Sequence, residues 1–359
     1  MKKNKTVTRQ VGITSWGTAL PYHAVKSTVI AESQGKSDNP GDSLGVIQKT
    51  CPAVDEDAAT LAIIAAENAI DRLPNDFVRS QIGSLLIGSE SHPYAVKPTG
   101  TIVAQALGLS ENLSLADLQF ACKAGTQSLQ LVFAQIGSGQ IEAGLAIGSD
   151  TAQSKPGDIL EYTAGSGAGA YLLASDDCLP LVATLSATAS IATDTPDFWR
   201  RTGSPYPEHA GRFSAEPAYF YHVLTVAKKL LQELDLTPQM IDYCVFHTPN
   251  AKFPRRAADI LGFTTKQLQY SLPVKRIGNT YAAAVPLALA NVLEHAKPEE
   301  IILVVSYGSG AGSDGFVFET TPHLPKLQKS GTPLDSQIDH LSPLSLTDYL
   351  RLVRLRSKH

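Results

Sequence analysis

The sequence is poor in cysteine, has no long apolar run and carries almost balanced charge. Its four cysteines, Cys51, Cys122, Cys178 and Cys244, lie far apart and form no CxxC pair. That spacing supplies neither a disulfide framework nor a zinc-ligand set, so no metal or redox cofactor is expected and a reducing cytosol fits best. No stretch is long enough in apolar residues to span a bilayer, and Met1 to Val7 is basic and polar rather than signal-like, so secretion and membrane insertion are not expected. A formal net charge of −4 gives no electrostatic reason to expect nucleic acid or an acidic membrane as partner. What remains is an ordinary globular composition, 43% hydrophobic and 18% charged, in 359 residues. That length predicts two domains or one large duplicated one.

Short apolar runs alternate with helix-like segments. Strands are expected over 11–19, 82–88, 143–147 and 168–174, and helices over 55–73, 101–107 and 125–136. Residues 113–120 run into Cys122. The second part repeats the order, with a strand over 241–246, helices over 256–261 and 282–295, and closing strands over 301–306 and 315–319. The alternation argues for an α/β fold around a largely buried sheet.

The repeat has a register. Glu90 and His247, Cys122 and Asn279, and Ser149 and Ser306 share one separation, 157 positions (247 − 90; 279 − 122; 306 − 149). Two similar halves related by a pseudo-twofold would bring the ends of equivalent elements into one pocket. Glu90, Cys122, His247 and Asn279 would then meet as a carboxylate, a thiol, an imidazole and an amide. Taken singly, each has a plainer reading: a buried structural cysteine, a solvated loop acid, a satisfied loop histidine, a helix cap. A free thiol has a pKa of about 8.5, and a helix start together with a nearby imidazolium would lower it.

The motifs around these residues run in one order: Gly88-Ser89-Glu90-Ser91-His92-Pro93, Phe120-Ala121-Cys122-Lys123-Ala124-Gly125, Pro156-Gly157-Asp158, Thr195-Pro196-Asp197-Phe198-Trp199, Phe246-His247-Thr248-Pro249-Asn250, Gly278-Asn279-Thr280-Tyr281 and Tyr307-Gly308-Ser309-Gly310. Over roughly residues 8 to 320 the chain resembles the thiolase superfamily, and more closely the 3-hydroxy-3-methylglutaryl-CoA (HMG-CoA) synthases of the archaeal type. The resemblance implies a duplicated thiolase-like fold, layered α-β-α-β-α with two mixed sheets related by a pseudo-twofold. The halves would be residues 1–178 and 179–322, followed by a divergent tail, 323–359.

The same resemblance implies acetyl-CoA and acetoacetyl-CoA as substrates. Cys122 would be the nucleophile, Glu90 the base and His247 the group at the acceptor's ketone. Thr163, Ser214, Asn279 and Ser309 would hold the acyl part and Arg256 the substrate's polar groups, while Arg212 and Lys252 would reach coenzyme A. CoA would be part of the substrate, not a resident cofactor. Relatives imply at least a homodimer and a complex with an acetoacetyl-CoA thiolase and a small OB-fold zinc protein. Departures from the family pattern occur at Thr248, at Ala282-Ala283-Ala284 and around Pro21-Tyr22-His23-Ala24. The first two are expected to line or abut the pocket and motivate a second reading, a condensing or acyltransferring enzyme of specialised biosynthesis with another acceptor. A third reading is a non-catalytic subunit of a thiolase-containing complex. The tail beyond Pro322, basic at Arg351, Arg354, Arg356 and Lys358, reads as a frayed terminus or a docking segment.

Overall fold

The computed structural model describes residues 9–74, 76–151 and 154–356, so the Met1 to Val7 start and Lys358 lie outside it. The first half runs β1 (Val11–Ala19), α1 (Ala58–Ile70), β2 (Ile82–Gly88), α2 (Thr99–Ala106), β3 (Ser114–Leu118), α3 (Ala124–Gly137), β4 (Ala143–Asp150) and β5 (Gly167–Ser175). The second runs β6 (Ala183–Ala192), α4 (Phe220–Glu233), β7 (Tyr243–Phe246), α5 (Lys252–Leu261), α6 (Ala284–His295), β8 (Ile301–Val305) and β9 (Gly312–Thr320). Strand order is β1-β5-β4-β2-β3 in one half and β6-β9-β8-β7 in the other. Pairing directions match throughout: β1/β5 and β6/β9 are antiparallel, as are β5/β4 and β9/β8, whereas β4/β2 and β8/β7 are parallel.

This is the expected duplicated layered fold, with two refinements. The sheets touch edge to edge where Gly12 faces Thr184 and Ile13 faces Ala183, so they run as one nine-stranded sheet. The second half has no counterpart of β3 among the described residues, because 3-10 and α turns at Thr265–Leu268 and Val274–Ile277 fill that stretch.

Burial explains the layers. Strands β4 and β5 are buried at every residue, which is the mark of a sheet covered on both faces. Helix α6 is buried on all sides from Ala284 to Leu293, so it belongs to a middle layer rather than to the surface. There it shares one core with Val132 and Phe133 of α3, Trp16 and Tyr171 of one half and Phe316 and Phe318 of the other. Outside, α1 presents Leu61, Ala62, Ala65, Ala66 and Ala69 to the sheet. Alanine and glycine permit that close contact, since a Cβ on Gly17 would lie 2.1 Å from the Ala65 carbonyl oxygen. Asp57 caps α1 by accepting a bond from Thr60 N.

Two elements lie outside the expected ones. Strand β6 is mostly small and polar residues apart from Leu185 and Ile191, with only its first and seventh residues buried, and it lacks a clear apolar signature. Helix α4 does carry a helical spacing of apolar residues, at Phe220, Val223, Ala227 and Leu230.

After β9 the chain forms α7 (Leu324–Gln328), α8 (Leu334–Asp339) and α9 (Leu346–Arg356). Leu334 and Ile338 pack on Ile277, Ala283 and Leu287, and Tyr349 of α9 packs on Val25, Ile30 and Cys51. Between α8 and α9, Ser342–Pro343 joins a small sheet with His23–Lys26 and Gln48–Cys51.

A buried ion pair ties these layers together. Arg72 Nη2 lies 2.5 Å from Glu294 Oε1 of α6, and the indole of Trp16 donates to the same oxygen at 2.8 Å. The guanidinium stacks over the Trp16 ring and also donates to the carbonyls of Leu327 and Ser330. Removing one partner of such a pair strands the other charge. Glu294→Ala is therefore expected to lower unfolding free energy by about 3–5 kcal/mol in urea titration, far more than an exposed Glu→Ala change.

Candidate active site

Cys122 sits in the turn between β3 and α3. The preceding Ala121 has φ of 43°, a left-handed conformation that a residue with a Cβ adopts only when its surroundings impose it. Those surroundings come from the other half. Lys123, 2% exposed, places its ammonium 3.0 Å from Asp314 Oδ2 of β9 and over the ring of Phe120. Thr126 Oγ1 donates to the same Asp314 oxygen at 3.0 Å. Gly308 lets the chain pass, since a Cβ there would lie 2.6 Å from the Phe120 carbonyl oxygen.

Glu90 follows β2, the strand equivalent to the one that precedes His247. Its loop is wrapped around Asp150, which is fully buried. Asp150 Oδ1 accepts from Ser89 Oγ (2.8 Å), Glu90 N (2.9 Å) and Ser91 Oγ (2.6 Å), and Oδ2 accepts from Ala282 N (2.7 Å). The Cys122 thiol donates to Glu90 Oε1 at 3.2 Å.

His247 follows β7 and is held by its backbone. Its N–H donates to Val305 O, and the Tyr219 hydroxyl donates to its carbonyl at 2.8 Å. The ring is 1% exposed, and its Nδ1 has no partner among the described residues. Asn279 precedes the 3-10 turn into α6. Its N donates to Thr163 O, its carbonyl accepts from Gly165 N, and its Oδ1 accepts from Tyr281 N.

Cys122, Thr163, Ser214, His247, Asn279 and Ser309 all line one cavity of about 170 Å³. Glu90 reaches it through Cys122 and also lines a second opening, with Gln119, Trp199 and Arg200. Arg212, Lys252 and Arg256 do not line the cavity. All three are exposed, Arg212 over the ring of Phe213 and Arg256 over that of Phe220. Lys252 nonetheless adjoins the lining residue Phe253 in sequence, and Arg212 lies two positions before the lining residue Ser214. Thr248 and Ala282-Ala283-Ala284 are buried beside lining residues without lining the cavity themselves, so these departures abut the pocket only.

Several residues at the site were not singled out from sequence. Asp150 ends a buried run, and Tyr219, Tyr281 and Tyr307 enclose the cavity. Asp197 Oδ2 accepts from Tyr307 and Oδ1 from Gly310 N, which fixes the turn that carries Ser309. His209 also lines the cavity and faces Asp158 at 3.3 Å. Asp197, Tyr281 and Tyr307 had a signal in their place inside the motifs quoted above, whereas Asp150, His209 and Tyr219 lie outside them.

The electrostatics correct one expectation. Burial pushes His247 down to about 3, so the ring is a neutral imidazole at neutral pH and no imidazolium assists the thiol. Burial, followed by the neighbouring Glu90 carboxylate, pushes the Cys122 thiol well above its ordinary range. Glu90 is itself pushed up to about 8, chiefly by burial and then by the charge of Asp150.

Comparison with known proteins decides the family. The chain is 47% identical over 348 residues to the hydroxymethylglutaryl-CoA synthase of Methanocaldococcus jannaschii, covering 97% of this chain and 99% of that one. The chain belongs to the hydroxymethylglutaryl-CoA synthase family. The synthase of Thermoplasma acidophilum is 44% identical, with 97% of each chain covered. Residues 231–320 match the model of the C-terminal part of 3-oxoacyl-[acyl-carrier-protein] synthase III. Among solved structures, MvaS in complex with 3-hydroxy-3-methylglutaryl coenzyme A superposes with a TM-score of 0.84 at 24% identity, over 96% of this chain and 92% of that one. The HMG synthase of the curacin biosynthetic pathway, in complex with holo donor-ACP, superposes with a TM-score of 0.86 at 22% identity, over 96% and 88%. At those identities the structures establish the shared fold. The synthase is thus an acyltransferase of the condensing type, and of the readings drawn from the sequence the first stands.

The charge pattern makes a direct prediction for the synthase. A carboxylate beside a thiol opposes its ionisation, so Glu90→Gln should move the Cys122 titration to lower pH. Iodoacetamide alkylation followed by mass spectrometry should then show Cys122 reacting several-fold faster at pH 8 in the variant than in the native chain.

Proposed function

We propose that the cavity carries out a three-stage condensation of acetyl-CoA with acetoacetyl-CoA, and that Cys122, Glu90 and His247 divide the work. The 3.2 Å contact between Cys122 Sγ and Glu90 Oε1, in a cavity that His247 also lines, carries this reading. In the first stage Cys122 sulfur attacks the acetyl carbonyl and free CoA leaves as its thiol, giving acetyl-S-Cys122. In the second, Glu90 removes a proton from the acetyl methyl group, and the resulting carbon adds to the ketone of acetoacetyl-CoA. His247, uncharged, donates a ring N–H hydrogen bond to that oxygen as negative charge develops on it, and the proton that Glu90 took from the methyl group passes to the oxygen to complete the product's hydroxyl. In the third, water cleaves the enzyme thioester, releasing HMG-CoA and restoring the thiol.

The resting protonation pattern supports this division. Glu90, raised to about 8, is the group of the three that changes charge near neutral pH, and acylation removes the thiol donor from its Oε1, so that the ionised carboxylate is free to take the methyl proton. Thr163, Ser214, Asn279 and Ser309 would hold the acyl groups, since all four line the cavity. Arg212, Lys252 and Arg256 supply positive charge outside the cavity for the polar parts of the CoA thioesters. The archaeal-type resemblance supports a cytosolic enzyme, at least dimeric, that associates with an acetoacetyl-CoA thiolase and a small OB-fold zinc protein.

Intact-protein mass spectrometry with acetyl-CoA, alone and then with acetoacetyl-CoA, tests the scheme. An acetyl adduct is expected that is absent in Cys122→Ala and that disappears as HMG-CoA forms. Glu90→Gln should still acetylate but lose about 10²–10⁴-fold in condensation rate, as expected for removal of a general base. An adduct that persists with acetoacetyl-CoA would point to another acceptor, and no adduct in folded protein would overturn the nucleophile assignment.

A further inference from the structure

Behind the wall that carries Thr163 lies a second, smaller cavity, of about 60 Å³, lined by Lys49, Cys51, Ser154, Glu161, Tyr206 and Arg356, among others. It is closed on one side by α9, which contributes Tyr349 and Arg356. Its charges are not matched. Glu161 is the acid among the lining residues, and its oxygens are engaged elsewhere: Oε1 by the Tyr349 hydroxyl (2.5 Å), and Oε2 by Gln34 Nε2 (2.6 Å) and Gly157 N (2.7 Å). Lys49 is 6% exposed, and its ammonium makes no hydrogen bond or ion pair among the described residues. Arg356 donates through Nη1 to the carbonyls of Pro52 and Ala53, but its buried Nε has no partner among the described residues. Two cations with unused donors therefore share one cavity with one carboxylate.

We propose that this cavity is a binding site for a small oxyanion of phosphate size, held between the Lys49 ammonium and the Arg356 Nε–H with help from the hydroxyls of Ser154 and Tyr206. A neutral water could accept either hydrogen bond but would leave the positive charge uncompensated, and burial of an uncompensated charge is what protein interiors avoid. The volume admits a phosphate-sized ion, whereas a nucleotide-sized molecule needs a cleft several times larger. The bound anion would bridge the Gln48–Cys51 strand that carries Lys49 to α9 and brace the segment from Glu161 to Ser166. That segment forms both walls: Ala164 lines the oxyanion cavity, Thr163 lines the acyl cavity, and the backbone of Ala164 pairs with Asn279. The site is thus separate from the thioester chemistry and independent of the roles assigned there.

Thermal unfolding of the full chain, with inorganic phosphate titrated against chloride at constant ionic strength, tests the proposal. The native chain is expected to show a saturable rise in Tm. The rise should vanish in Lys49→Met and need at least tenfold more phosphate in Arg356→Gln, while Lys252→Met, altered outside the acyl cavity, keeps it. Should Lys49→Met fail to unfold cooperatively, the Arg356→Gln titration decides. A native chain indifferent to phosphate, an unchanged rise in Lys49→Met or Arg356→Gln, or a rise abolished by Lys252→Met would overturn the assignment.

Discussion

The site depends on a carboxylate that never meets water. Asp150 is buried at the end of β4, and four donors satisfy it: three from the loop that carries Glu90, and the backbone N–H of Ala282 from the other half. A buried charge must be matched bond for bond, so this one leaves the Glu90 loop and the start of α6 little freedom to move apart. Lys123 and Asp314 form the reciprocal brace, joining the cysteine turn of the first half to β9 of the second. Between the two braces, Cys122 and Glu90 are held at hydrogen-bond distance with the strained Ala121 conformation as the cost.

The same enclosure sets the chemistry. Burial favours the uncharged forms of Cys122, Glu90 and His247 alike, so Cys122 rests as a thiol, His247 as a neutral imidazole, and Glu90 ionises only near 8. A neutral cavity suits a reaction in which charge appears only as bonds form, because preoriented donors then act on the transition state rather than on the resting enzyme. The helix start beyond Cys122 contributes within that setting, and burial outweighs it.

The segment beyond β9 has a structural part to play. Helices α7 and α8 lie against the Arg72–Glu294 pair and the base of α6, and α9 reaches back to Tyr162 and Cys51. Basic residues that look like a solvated tail in the sequence divide on folding: Arg351 is exposed, and Arg356 points inward to backbone carbonyls.

Much was legible in the linear chain. Strands β1 and β2 were bounded to the residue because unbroken buried runs carry their own limits, and the 157-position register located Glu90, Cys122, His247 and Asn279 at equivalent element ends (247 − 90; 279 − 122). Strand β6 was not legible, since its small polar residues gain their place from neighbours in the sheet rather than from hydropathy. Nor were Asp150, Asp197 or the protonation of His247, which follow from which groups share a desolvated space. The sequence by itself determined the repeat and the candidate groups it brings together, because these rest on periodicity and residue type, while the layering and the roles of those groups came through the family resemblance. Only the tertiary structure decided distances, charge states and which arginines face inward, because burial and hydrogen-bond matching are properties of residues far apart in the chain.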